Sequence, residues 1–214
     1  GNALESLADG EEAYQRILSD IRDATHHVHL FYFIYKADDT GKELAQLLME
    51  KAAEGVEVRF MYDSVGSIKL PFDWLKQLVA AGIDVRPYDL VNSPLLSTRL
   101  NWRNHRKMVI VDGKVAHIGG MNLGNEYRSL TEKFTYWRDT NLRIEGPAAL
   151  EVQGVFLHDW LYFEQEPEVA SPFIDQAALY FPTEAIEKED DENCQIIFGG
   201  PYDKERMIHD AFMD

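Results

Sequence analysis

Between Asp9 and Tyr88 the spacing of apolar residues switches repeatedly between a helical and an extended period. Asp9 to Ala24 predicts a helix, with Asp9 as its cap and Glu12 completing a capping box. Gly1 to Asp23 as a whole is charged and reads as helical, with no signal peptide in it. "HVHLFYFIY", His27 to Tyr35, is rich enough in aromatic and β-branched residues to be a strand. Thr40-Gly41-Lys42-Glu43 forms another capping box, opening a helix through "LAQLLMEKAAE" that stops at Gly55. "VEVRFMYD" follows as a strand. Phe72 to Ala81 repeats the theme, with Gly82 as the stop and "IDVRPY" as the next strand. Strands alternating with helices make βαβ units, so the expected class is α/β: a mixed, largely parallel β-sheet flanked by helices.

After Asp89 the rhythm changes. A loop containing Pro94 leads into two apolar runs joined at Asp112-Gly113, the pattern of a β-hairpin. "WRDTNLRIEG" predicts a further strand, and Pro147 suits the first turn of a helix running to Glu164. Pro167 to Asn193 is acidic, contains three prolines and lacks sustained periodicity, so it reads as a linker or long loop. "CQIIFGG" and "DKERMIHDAFMD" begin another strand and helix. The expected division is a first domain over 1–165, an acidic linker over 166–193 and the start of a truncated second domain over 194–214.

With 214 residues, 45% hydrophobic, the chain can bury a real core. The single Cys194 excludes an internal disulfide and a cysteine-built zinc site. No apolar run reaches the length of about 18 residues that a membrane span needs. The net charge of −16 is uneven: Glu164 to Glu192 holds ten acids and one base. Leu90–Val111, by contrast, holds Arg99, Arg103, Arg106 and Lys107 and no acid. An acidic chain with a local basic pocket suits a small anionic target and argues against a broad nucleic-acid footprint.

That basic stretch opens the hairpin. On a strand His105 and Lys107 share a face with Val109 and Val111, while Met108 and Ile110 take the other. Asp112 lies at an odd offset from His105, and its expected job is bonding local backbone in the Asp-Gly turn. Past the turn, Gly119-Gly120 lets backbone approach closely, and the hairpin returns Asn122 towards the His/Lys end. An imidazole, an ammonium and a carboxamide can then converge: imidazole attacks phosphorus, and the other two hold phosphoryl oxygens. A His-x-Lys on a strand or a Gly pair is alone an ordinary structural feature. The combination at this spacing is specific.

His105-x-Lys107, four residues, Asp112, six residues, Gly119-Gly120-x-Asn122 resembles the HKD motif of the phospholipase D superfamily. The wider context, "RNHRKMVIVDGKVAHIGGMNLGNEY" with "YWRDTNLRIEGPA", is similar to its bacterial cardiolipin synthase branch, from about Leu7 onward. One departure is Gly120, where many members have Ser. The resemblance implies a phospholipase D-like domain, with His105 as nucleophile or general acid. Lys107 and Asn122 would bind phosphate, and Asp112, Gly119 and Gly120 would be structural. Asp139 falls where the family has an acid that orients the His ring. Trp102 and Arg103, beside the motif, are candidates for a substrate mouth. The implied reaction condenses two phosphatidylglycerol molecules to cardiolipin and glycerol through a phosphohistidine, with no metal and no cofactor.

Two HKD motifs build one such site, and none of His26, His27, His29, His117, His158 or His209 has Lys two positions later. The expectation is a half-enzyme, its second motif supplied by the rest of a longer protein or by a dimer mate. The isolated chain would then be soluble and inactive. The full-length protein would work on anionic phospholipid at the cytoplasmic face of the bacterial cell membrane. Two rival readings are a phosphodiesterase or nuclease of the same superfamily and a catalytically silent phosphate-binding domain. His26-His27-x-His29 lacks a completing acid or Cys at ligand spacing, so the strand reading takes priority over a metal site. Trp74, Trp137 and Trp160 read as core or pocket wall, and Glu187–Glu192 as a solvated loop.

Overall fold

A computed structural model describes residues 1–88, 104–162, 176–182 and 192–199. In chain order these form β1 (Ala3–Asp9), α1 (Gly10–Arg22), β2 (His27–Tyr32), α2 (Asp39–Ala53), β3 (Glu57–Asp63), α3 (Phe72–Ala80) and β4 (Asp84–Tyr88). Then come β5 (Lys107–Val111), β6 (Val115–Gly119), a 3-10 turn (Asn125–Arg128), β7 (Arg138–Glu145), α4 (Pro147–Tyr162) and a short helix at Ala177–Tyr180. One seven-stranded sheet runs in the order β1-β7-β6-β5-β2-β3-β4.

The expected mixed α/β architecture forms, but the sheet is not the largely parallel one that alternating strands and helices predict, because the parallel pattern ends with β4. The βαβαβ stretch makes β2, β3 and β4 neighbours in parallel, because each crossover helix returns the chain to the same edge. The hairpin and its neighbours pair antiparallel, as does β5 with β2, so antiparallel ladders outnumber parallel ones among the described residues.

Both faces of the sheet are covered. On one side Tyr14, Ile17, Leu18, Leu44 and Leu48 of α1 and α2 pack with Val28, Leu30, Val58, Val109 and Val111. On the other, Ala149, Val152, Phe156 and Trp160 of α4 pack with Phe31, Met108 and Ile110. The β5 side chains therefore divide as their alternation requires, and Lys107 falls on the α1 side with Val109 and Val111.

Three local expectations shift. Ala3–Asp9 is an edge strand paired with β7 from Ala3↔Glu145 to Asp9↔Arg138. Its Ala, Leu and Glu residues favour helix locally, and non-local pairing overrides that preference. The cap of α2 is Asp38, two residues before Thr40: its carboxylate accepts from Gly41 N at 3.2 Å. Thr40 instead uses its N–H and hydroxyl on Asn125 Oδ1, at 3.0 and 2.8 Å. Finally, "CQIIFGG" carries no strand through Gly199. Cys194, Ile196 and Phe198 pack against the α4-side core, and Ile196 N donates to Glu151. The stops at Gly55 (φ 93°) and Gly82 (φ 91°) do adopt the left-handed backbone that glycine favours after a helix.

Two buried charge networks fix α1 and β2 to the hairpin. Asp20 of α1 accepts from His117 Nε2 at 2.7 Å and from Arg143 at 2.8 and 3.0 Å. Burial alone would raise its pKa, but those donors prevail and bring it down to about 2. At the turn, Asp112 (φ 54°) accepts from Thr25 N, Thr25 Oγ1, His26 N and His27 N, all within 2.9 Å. Its backbone partners are thus not local to the turn. They belong to the chain entering β2.

Candidate active site

The ladders place one set of strand ends together. Tyr32 of β2 is opposite both Tyr62 of β3 and Lys107 of β5, Met108 is opposite Ile118, and Gly119 is opposite Asn141. The carboxyl ends of β2, β3 and β6, and the start of β5, therefore share one end of the sheet. That end is where open α/β sheets bind ligands.

The expected strand His27–Tyr35 stops early, at Tyr32, and the backbone bends at Phe33 and Ile34. This bend is the hub of the site. The Phe33 ring lies 3.9 Å, centroid to centroid, from the His105 ring, at an interplanar angle of 39°. Lys107 Nζ lies 5.5 Å over the same Phe33 ring. The next residue, Ile34, donates its N–H to Asn122 Oδ1 at 3.0 Å. His105, Lys107 and Asn122 are thus gathered around two consecutive residues.

His105 is exposed, while Lys107 and Asn122 are each only 9% exposed. Lys107 Nζ donates to the His105 carbonyl and stands 3.3 Å from the ring's Nδ1. A charged ammonium can only donate, so this contact leaves the proton of a neutral ring on Nε2. Partial burial and then the Lys107 charge lower the His105 pKa, with Asp63 opposing. Burial lowers the Lys107 pKa too, and Asp139 opposes it. Asn122 spends its oxygen on Ile34 and donates through Nδ2 to Tyr127 Oη at 3.3 Å. A two-hydrogen amide so held keeps donor capacity for a phosphoryl oxygen.

Asp139 is not joined to the His105 ring. Among the described residues its Oδ1 accepts from Thr140 N at 2.8 Å, and its charge is felt at Lys107 and Tyr127. The carboxylate lies against Gly120: a Cβ there would stand 2.2 Å from Asp139 Oδ1. At Gly119 a Cβ would stand 2.4 Å from the Thr140 carbonyl. The glycine pair thus lets β6 end against the start of β7.

Of the basic cluster, Arg106 points away. It is ion-paired with Asp159 of α4, which also accepts from Asn104 at 2.7 Å, and it donates to the Gly199 carbonyl. Trp102 and Arg103, the expected mouth residues, lie outside the described residues, as does Arg99.

Phe33, Ser67, Asp63 and Tyr127 join the site without having been singled out in the sequence. Ser67 Oγ donates to the Phe33 carbonyl at 3.1 Å and accepts from Tyr35 N at 3.0 Å, so the loop after β3 supports the bend. Asp63 closes β3 by accepting from Val65 N and Gly66 N at 3.0 and 2.8 Å. Phe33 and Asp63 stand at strand ends, the signal the sequence offers for them, whereas Ser67 in the loop after β3 and Tyr127 in the 3-10 turn carry none.

A buried ammonium on an imidazole, beside an amide with donor capacity, is an arrangement that can hold an anionic phosphoryl group. Residues 17–160 match the family described as "Cardiolipin synthase, PLD-like domain", and the chain belongs to that family. Cardiolipin synthase of Geobacillus thermodenitrificans (strain NG80-2) is 41% identical over 210 residues, which is 96% of this chain and 40% of that protein. Cardiolipin synthase 2 of Bacillus anthracis is 39% identical over 203 residues, 95% and 38% of the two chains. The chain therefore spans about two fifths of the curated relatives it matches. Phosphatidylserine synthase of Haemophilus influenzae Rd KW20 shares the fold with TM-score 0.57 and 20% identity, over 74% of this chain and 36% of that one. So does the phospholipase D family member Nuc from Salmonella typhimurium, with TM-score 0.54 and 18% identity over 75% and 95%.

Proposed function

We propose that this chain is the first catalytic half of a phosphatidyltransferase that condenses two phosphatidylglycerol molecules to cardiolipin and glycerol. The observation that carries the reading is the convergence of His105, Lys107 and Asn122 on the Phe33–Ile34 bend. Family membership and the names of the relatives support the substrate class. One imidazole attacks phosphorus, the bond to the departing glycerol oxygen breaks, and a second imidazole gives that oxygen its proton. An incoming glycerol hydroxyl then loses its proton to the second imidazole and attacks, and the P–N bond breaks. Lys107 and Asn122 hold the non-bridging oxygens throughout. A phosphate arriving at Lys107 competes with the imidazole Nδ1 for the ammonium, so substrate binding itself releases the His105 ring.

The second His-Lys-Asn set comes from outside these 214 residues, from the remainder of a longer protein or from a dimer mate. We assign 1–165 to the first domain, 166–193 to the connection and 194–214 to the approach to the second. The site works at the cytoplasmic face of a bacterial cell membrane.

The test is turnover of phosphatidylglycerol by the complete protein, with and without His105→Ala, and acid-quenched trapping of phosphohistidine. Cardiolipin formation that depends on His105 supports the reading. Cleavage of single-stranded DNA without lipid product would replace it with a nuclease, and unchanged activity in the variant would mean a silent domain.

A further inference from the structure

The sheet end that carries His105 also carries the most exposed large apolar side chains. In the loop joining β3 to α3 Ile68 is 75% and Val65 42% exposed, and Phe72, which opens α3, is 70% exposed. In the loop before β7, Tyr136 is 72% and Leu130 56% exposed. The first loop leaves the carboxyl end of β3 and the second enters the start of β7, so they flank the site from opposite sides. Neither is an idle excursion. Ser67 of the first loop holds the Phe33 carbonyl, and Trp137 of the second packs on Tyr127, the partner of Asn122.

Charge singles out these loops as well. From Asp63 to Ala80 Lys69 and Lys76 stand against Asp63 and Asp73, and from Ser129 to Asp139 Lys133 and Arg138 stand against Glu132 and Asp139. Bases and acids balance here at four each, whereas the whole chain has 37 acids to 21 bases. Lys76 Nζ sits 4.5 Å over the Phe72 ring, so cation and apolar group are presented together. Aromatic and aliphatic tips interleaved with cations match the boundary between acyl chains and anionic headgroups.

We infer that this end of the molecule seats on an anionic phospholipid surface, Ile68 and Phe72 on one side and Leu130 and Tyr136 on the other. The seat sets the His105 mouth at headgroup level. It rests on the phosphatidyltransferase reading for its choice of occupant, yet it can be tested apart from catalysis.

The experiment is flotation of the chain with vesicles of phosphatidylglycerol and phosphatidylcholine, and with phosphatidylcholine alone. The chain should float with the anionic vesicles and release in high salt. Ile68→Ser with Phe72→Ser, and Leu130→Ser with Tyr136→Ser, should each weaken binding about tenfold or more. Leu179→Ser, beside the Asp112-Gly113 turn at the opposite end, should float like the parent. His105→Ala should also float like the parent, so loss of catalysis and loss of seating are separable. Failure of the parent to float, or equal binding by the rim pairs, would overturn the inference. So would dimers that Ile68→Ser with Phe72→Ser dissociates while vesicle binding persists, because a second copy would then be the occupant.

Discussion

The two ends of the β5–β6 hairpin treat buried charge in opposite ways. At the turn, the Asp112 carboxylate accepts four donors from Thr25, His26 and His27. Burial raises its pKa, those donors lower it, and the donors win. At the open end, Lys107 meets a carbonyl and a neutral imidazole, and among the described residues no carboxylate pairs with it. Burial dominates there, and its pKa falls. Both residues are 9% exposed. The difference lies in satisfaction: a saturated buried charge holds structure together, whereas a cation left on neutral partners is poised for an anion.

The largest effect that sharpens this contrast is on activity. In the complete protein, Lys107→Met should lower lipid transfer by about 10³-fold or more. It should leave thermal stability unchanged or raised by up to about 1 kcal/mol, since among the described residues the buried cation has no ionic partner to lose. A large drop in Tm with modest loss of turnover would reverse the assignment of the two ends.

Asp112→Ala should do the opposite, costing about 3 kcal/mol or more by orphaning donors at the start of β2, as denaturant unfolding would register. A neutral result would mean that water replaces the carboxylate.

A third effect is on pH. Burial, then the neighbouring His29 and His26 charges, pull the His27 pKa down to about 2, and burial likewise lowers His29 and His117. The unfolded chain takes up protons below about pH 6.5 that these folded imidazoles refuse, so stability is full above that pH and falls below it. His27 alone should contribute up to about 1.4 kcal/mol per pH unit. The lowered carboxylates Asp20 and Asp112 add their losses only below about pH 4. Tm measured between about pH 7.5 and 5 should therefore fall, less steeply in His27→Asn, and a flat profile would contradict the buried neutral state.

The smallest effect concerns Gly120→Ser. The new Cβ meets the Asp139 carboxylate, a side-chain end that can swing aside. A few-fold change in turnover with little change in Tm is expected, visible as a shifted pH profile because Asp139 acts on Lys107. An unaltered pH profile would detach Asp139 from the site.

Much of this was legible in the sequence, because strand and helix periods and the turn glycines are local signals. The hairpin face of Lys107 followed from alternation alone. What escaped was non-local. Ala3–Asp9 becomes a strand through β7, more than a hundred residues away. Asp112 finds backbone at Thr25–His27 and not in its own turn. The bend at Phe33 is invisible in "HVHLFYFIY", which continues as a strand by composition, yet it is what gathers the site. Asp139 sits at the family spacing for contact with His105, but its carboxylate lies against Gly120 and accepts from Thr140 N.

The most direct measurement is nitrogen-15 NMR of the histidine rings while glycerophosphoglycerol, the soluble headgroup, is titrated into the chain. The expected result is a saturable change at the His105 nitrogens as phosphate draws Lys107 from Nδ1, absent in Lys107→Met. Resonances of His105 that stay fixed while another histidine responds would place the phosphate elsewhere and contradict the central claim.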